Sequence, residues 1–244
     1  VHLRSRRGPR GLRLLSLDWD FFFPVPHPAN DSHGLFDWGH REAPFFLDAI
    51  WGFRAAAFFR SGVPLPGLSG EERSFWNRCQ TAPGAPLFLA DSHALATDPC
   101  VLEGVGHITH LDAHHDAGYG GPASAATLLA DGEVDCGNWL LAAMLQGTHA
   151  EVVYPTWKPW GVHERPPSLP LARRVDDGAP FGEAFDRVFL CHSGAWTPPW
   201  VEDAFWDLVD AWPGAGRVWL EDVTRRHWKN QESSAWEVVE QWKT

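Results

Sequence analysis

Three short apolar runs in this chain each end in a cluster of acidic and imidazole side chains. They are Ser16-Leu17-Asp18-Trp19-Asp20, Leu89-Ala90-Asp91-Ser92-His93 and His110-Leu111-Asp112-Ala113-His114-His115-Asp116. Aspartate is poor in strand interiors, so each cluster reads as the end of a strand. Carboxylates this close repel one another and are costly to desolvate unless a cation sits among them. A parallel sheet gathers such ends on one side, where ligands collect in open α/β folds.

The rest of the chain fits that reading. Strands are expected over 14–19, 86–90, 105–111, 149–154, 188–191 and 217–220, with helices over 45–59, 138–145 and 232–242. A further helix is expected to open at Thr197, as N-cap before Pro198, and to run to about Ala211. Strands alternating with helices imply one α/β domain over 1–244, a three-layer sandwich with a mainly parallel central sheet. The Pro-rich stretch 155–170 reads as a long surface loop that shapes a binding site.

Composition excludes some partners. A net charge of −11 disfavours nucleic acid held by phosphate contacts. The basic start VHLRSRRGPR is followed by no apolar run of signal-peptide length, and no stretch approaches a membrane span. Cys79, Cys100, Cys136 and Cys191 form no CxxC pair and read as reduced thiols, so a cytoplasmic location is expected. The 15 tryptophans read as core and groove-lining surface.

Carboxylates mixed with imidazoles suit manganese, zinc, iron or nickel. Asp112-Ala113-His114-His115-Asp116 matches the DAHxD motif of the arginase (ureohydrolase) family, and Ser16 to Pro24 resembles that family's SxDxDxxDP motif. Asp91-Ser92-His93 is similar to the segment carrying its first histidine ligand. The resemblance implies two Mn²⁺ ions, or other divalent metals. His93, Asp112, Asp116 and Asp18 would hold one, and Asp112, His114, Asp18 and Asp20 the other. Two departures stand out: Phe23 occupies the third acidic position, and the DxD segment precedes DAHxD instead of following it. An arginase-like fold with permuted motif order is therefore implied.

No segment matches the arginase residues that read the α-amino and α-carboxylate groups of free arginine. Together with Cys136-Gly137-Asn138-Trp139, this makes the chain most similar to the peptide arginases, which convert arginine side chains of ribosomally made peptides to ornithine. An arginine-containing peptide is the implied partner, with Asn138, Trp139 and Asp222 as candidate substrate contacts. Asp116, His192 and Glu221 are the catalytic candidates: Asp116 or His192 for the proton, Glu221 with Asp222 for a guanidinium. Glu164 and His163 are lesser versions of the same idea. His110 is expected beneath the metals, and His115 behind the ligands or toward solvent. Two alternatives stay open: a single-zinc deacetylase of the same superfamily, and a metal-binding regulatory module without turnover.

Overall fold

Among the described residues, seven strands form one sheet, and every pairing in it is parallel. The computed structural model describes residues 11–24, 44–62 and 64–228. In chain order the strands are β1 (Leu12–Asp18), β2 (Pro86–Ala90), β3 (Val105–Leu111), β4 (His149–Tyr154), β5 (Ala172–Val175), β6 (Arg187–Cys191) and β7 (Gly216–Trp219). They lie in the order β5-β4-β3-β1-β6-β2-β7. The helices are α1 (Pro44–Ser61), α2 (Pro99–Leu102), α3 (Pro122–Asp131), α4 (Trp139–Leu145) and α5 (Glu202–Asp210).

Both sheet faces are covered, which is why the central strands read as unbroken apolar runs. Leu15, Leu17, Leu87, Leu89, Val188 and Leu190 pack on one side with Phe205, Leu208 and Val209 of α5. Leu14, Phe88, Ala90, Ile108 and Phe189 face the other side, against α2 and α4. Burying each such side chain contributes about 1.5–3 kcal/mol. The two-residue period assigns Ser16 and Asp18 to the face of Leu14, and His110 and Asp112 to the face of Ile108. Both pairs thus project toward α4.

The expected elements shift in instructive ways. β1 stops at Asp18 because its carboxylate accepts the Asp20 N–H at 2.9 Å, which opens the 3-10 turn Trp19–Phe22. Thr197 is not an N-cap. Its hydroxyl donates backward to the carbonyls of His192 and Ser193, and the chain passes through the 3-10 turn Pro199–Val201 before α5. β5 and α3 were not anticipated, since the ARRV of an edge strand carries no apolar run. The Pro-rich stretch contains the 3-10 turn Pro159–His163, pressed so tightly on β4 that a Cβ on Gly161 would sit 2.4 Å from the Tyr154 ring. The expected helix over 232–242 lies outside the described residues. Among the described residues, no helix is long and apolar enough to cross a membrane.

Candidate metal centre

The carboxyl ends of β1, β2, β3 and β6 converge, and the three sequence clusters meet there. Asp18 Oδ2 lies 2.8 Å from His93 Nδ1 and accepts from the Ser193 hydroxyl at 3.1 Å. The same His93 nitrogen is 3.9 Å from Asp112 Oδ2 and 3.8 Å from Asp116 Oδ2, while its other nitrogen meets Ser16 Oγ at 3.0 Å. On the opposite side of Asp112, Oδ1 is 3.4 Å from His114 Nδ1, which is itself 3.1 Å from Asp20 Oδ2. Asp18, Asp20, His93, Asp112 and Asp116 are all buried, and His114 is partly exposed.

Electrostatics mark the cluster as incomplete on its own. Burial, and then the neighbouring Asp20, Asp116 and Asp18, push the Asp112 carboxyl well above its ordinary range. Burial and Asp20 likewise raise Asp18. Asp20 is held below its ordinary value, against the cost of burial, by its bond to His114. Asp112 Oδ2 and both ring nitrogens of His110 are buried without a hydrogen-bond partner. His110 Nε2 comes within 2.9 Å of Asp112 Oδ2, but without hydrogen-bond alignment. Buried polar atoms are seldom left so. Three groups bring their ligand atoms within 4.8 Å of one another: Asp18–His93–Cys191, His93–His110–Asp112 and Asp20–Asp112–His114. The donor set of carboxylate and imidazole, with orphaned atoms at its centre, fits divalent metal ions.

Two residues at the site hold φ in the left-handed region, Asp116 at 48° and Ser193 at 55°. Neither is glycine, so each conformation costs free energy that the surroundings must offset. Trp139 holds Asp116: its indole N–H donates to Asp116 Oδ2 at 3.1 Å, and Leu140 N–H donates to the Asp116 carbonyl. The Trp139 ring also stacks on His93 at 5.3 Å and meets His110 edge-on at 5.1 Å. Ser193 belongs to the turn after β6. There Asp91 Oδ1 accepts the Gly194 N–H at 2.9 Å and sits 2.8 Å from His192 Nδ1.

The structure therefore brings together all six expected metal ligands and separates the other candidates. His192 is buried with both ring nitrogens engaged, Nε2 lying 3.0 Å from Glu202 Oε2, so it is not poised to carry protons into the site. Glu221 accepts the backbone N–H groups of Asp91 and Ser92, fixing the turn that presents His93. Asp222 is exposed and does not line the cavity. Asn138 closes a local turn with Asp135 and Glu133, and Trp139 is fully buried, so neither faces the cavity. His110 lies among Asp112 and Asp116 as parity implied, and His115 turns away to the Arg165 carbonyl.

Some site residues were missed. Cys191 pairs in register with Asp18 across β1 and β6, and it shares parity with Phe189, so a strand alignment would have exposed it as a possible thiol ligand. Tyr119, Ser193 and Trp196 carry no strand-end signal. The cluster opens into a cavity of about 730 Å³, whose wall includes Asp91, Tyr119, Glu164, Arg165 and Trp196. Comparisons with protein-family models, with curated proteins and with solved structures each give no match for this chain.

Proposed function

We propose that this chain is a dinuclear, manganese-dependent hydrolase that removes urea from arginine side chains of a peptide and leaves ornithine. In this reading it is an arginase-like protein whose metal-binding segments occur in permuted order. The observation that carries the reading is the placement of Asp112. Its Oδ1 lies 3.4 Å from His114, the imidazole that Asp20 also contacts, while its Oδ2 faces His93 and His110, so this one carboxylate would serve both groups of ligands. His93, Asp18, Asp112 and Asp116 would hold one ion, and Asp20, Asp112, His114 and Asp18 the other.

A divalent pair, when bound, supplies Lewis acidity and brings the pKa of water toward neutrality. The chain's own groups do the rest. Glu164, 3.5 Å from Lys158, and Asp91 place carboxylates in the cavity wall beside Arg165, and Trp196 lies against His114 at a ring separation of 5.1 Å. Carboxylates with aromatic rings suit a guanidinium, which they contact by bidentate hydrogen bonds and by stacking. Asp116, held by Trp139 and kept well below the ordinary carboxylate range by His110 and His93 against the cost of burial, is the group we assign to take the proton that the attacking water loses and to pass it to the leaving amine. A cavity of about 730 Å³ has room for an arginine side chain with part of a flanking chain, as the peptide substrate proposed from the sequence resemblance requires.

The test is urea release by the manganese-loaded protein, with free arginine and an arginine-containing peptide assayed side by side. Urea from the peptide, lost in Asp112→Asn, is the expected result. Urea from free arginine alone would move the substrate to a small metabolite. No urea from either, with deacetylation of an acetyl-lysine peptide, would replace the reading with a single-metal deacetylase.

A further inference from the structure

A second groove, of about 610 Å³, lies between the segment that enters the 3-10 helix Glu71–Arg78 and helix α5. α5 packs on the sheet face opposite the one that carries the metal centre, so this groove is separate from that site. Two indole N–H groups fix its walls: Trp76 donates to the Leu208 carbonyl at 2.8 Å and Trp200 to the Pro66 carbonyl at 2.7 Å. Leu68, Trp200 and Leu208 provide apolar surface, and Glu72, Asp203 and Asp207 provide three acids against the one base, Arg73.

Glu72 is the unusual member. Its side chain is only 6% exposed, and its Oε2 has no hydrogen-bond partner. The other oxygen is 3.7 Å from Nε of Arg73, too long for a hydrogen bond, and the Arg73 side chain is 87% exposed. Asp203 is committed to Arg225 at 2.6 Å, which leaves Asp207, one turn further along α5, as a second acid facing solvent. A buried carboxylate oxygen without a donor is costly, and a ligand bringing N–H donors and positive charge removes the cost.

We infer that this groove takes a cationic side chain, arginine or lysine, of a basic polypeptide segment. The charged head meets Glu72 and Asp207, and the aliphatic stem lies along Leu68, Trp200 and Leu208. The inference stands on these residues alone and does not require the metal centre to be catalytic.

Fluorescence anisotropy tests it on the full chain, with a labelled peptide of alternating glycine and arginine and a control in which citrulline replaces arginine. The arginine peptide should bind and the neutral control should not. Glu72→Gln should weaken binding by about tenfold or more. Asp207→Asn, on an exposed helix position, should weaken it by about two- to threefold. Thermal unfolding of each variant guards against misfolding; Glu72→Gln should not lower the melting temperature without peptide, because it replaces a carboxylate whose buried Oε2 has no donor and whose ion pair with Arg73 is loose. Absence of binding, equal binding of the citrulline peptide, or unchanged affinity in both variants would overturn the proposal.

Discussion

Two buried clusters of histidine and carboxylate lie side by side at the ends of β1 and β6, and they differ in how their charge is balanced. In the first, Asp18, Asp20, Asp112 and Asp116 face His93, His110 and His114, and no arginine or lysine among the described residues pairs with those carboxylates. The Lys158 ammonium stops at the neighbouring Ala113 carbonyl, and central atoms go unpaired. In the second, Asp91 and Glu202 bracket His192, and Arg226 closes the network. Its Nε donates to Glu202 Oε2 at 2.7 Å, and another guanidinium nitrogen donates to the carbonyls of Gly194 and Thr197. Trp206 supplies a further donor to Glu202. The second cluster satisfies itself and acts as scaffold for the Ser193 turn. The first keeps unpaired buried atoms among its carboxylates and imidazoles, and that difference marks it as a candidate metal site beside a structural network of similar composition.

The contrast predicts that the two clusters respond to mutation with opposite sign. Arg226→Ala strips the guanidinium from buried Glu202 and leaves it His192, the Trp206 indole and a backbone N–H, so it should cost about 1–3 kcal/mol of unfolding free energy in a urea titration. A loss below about 1 kcal/mol would mean that the network is not the balanced scaffold described.

Acid should dissolve the same network. His192, Arg226 and Trp206 hold Glu202 down to about 2 from an ordinary 4.5, against the opposing cost of burial. A carboxyl with a lowered folded-state pKa contributes stability that is present above its unfolded value and lost as pH falls toward the folded one. About 3 kcal/mol should therefore disappear between pH 4.5 and pH 2, and Glu202→Gln should flatten that part of the stability profile.

At the metal centre the sign reverses. Manganese at a hundred times its dissociation constant should raise unfolding free energy by about 2.7 kcal/mol for each site filled, whereas Asp112→Asn should show no response. Without metal, Asp112→Asn should be neutral or stabilising by about 1 kcal/mol, because it removes the most strongly repelled carboxylate. Calorimetric unfolding of the metal-free pair checks this, and a clear loss of stability in Asp112→Asn would erase the distinction between the clusters.

Much of the first cluster could be read from the sequence, because Asp18, Asp112 and Asp116 interrupt or end apolar runs, where a buried carboxylate needs a partner such as a bound cation. Strand parity also placed His110 with Asp112. The second cluster was hidden for a physical reason. Arg226 reaches Glu202 and Gly194 from 24 and 32 residues away, and no local pattern signals such a contact. His192 therefore read as a proton carrier, and Glu221 as a substrate carboxylate, although each is committed to shaping a turn. Trp139 misled differently: it opens the uniformly apolar WLLAAML, which gives no clue that its indole N–H points at Asp116. The parallel sheet was legible from short apolar strands alternating with helices, and the polar edge strand β5 was not.

The most direct test of the central claim is the manganese content per chain, measured by elemental mass spectrometry after loading and removal of excess metal. The account predicts two ions in the wild-type protein and loss of both in Asp112→Asn, since that carboxylate serves both sites. One ion per chain, or two retained in Asp112→Asn, would contradict it.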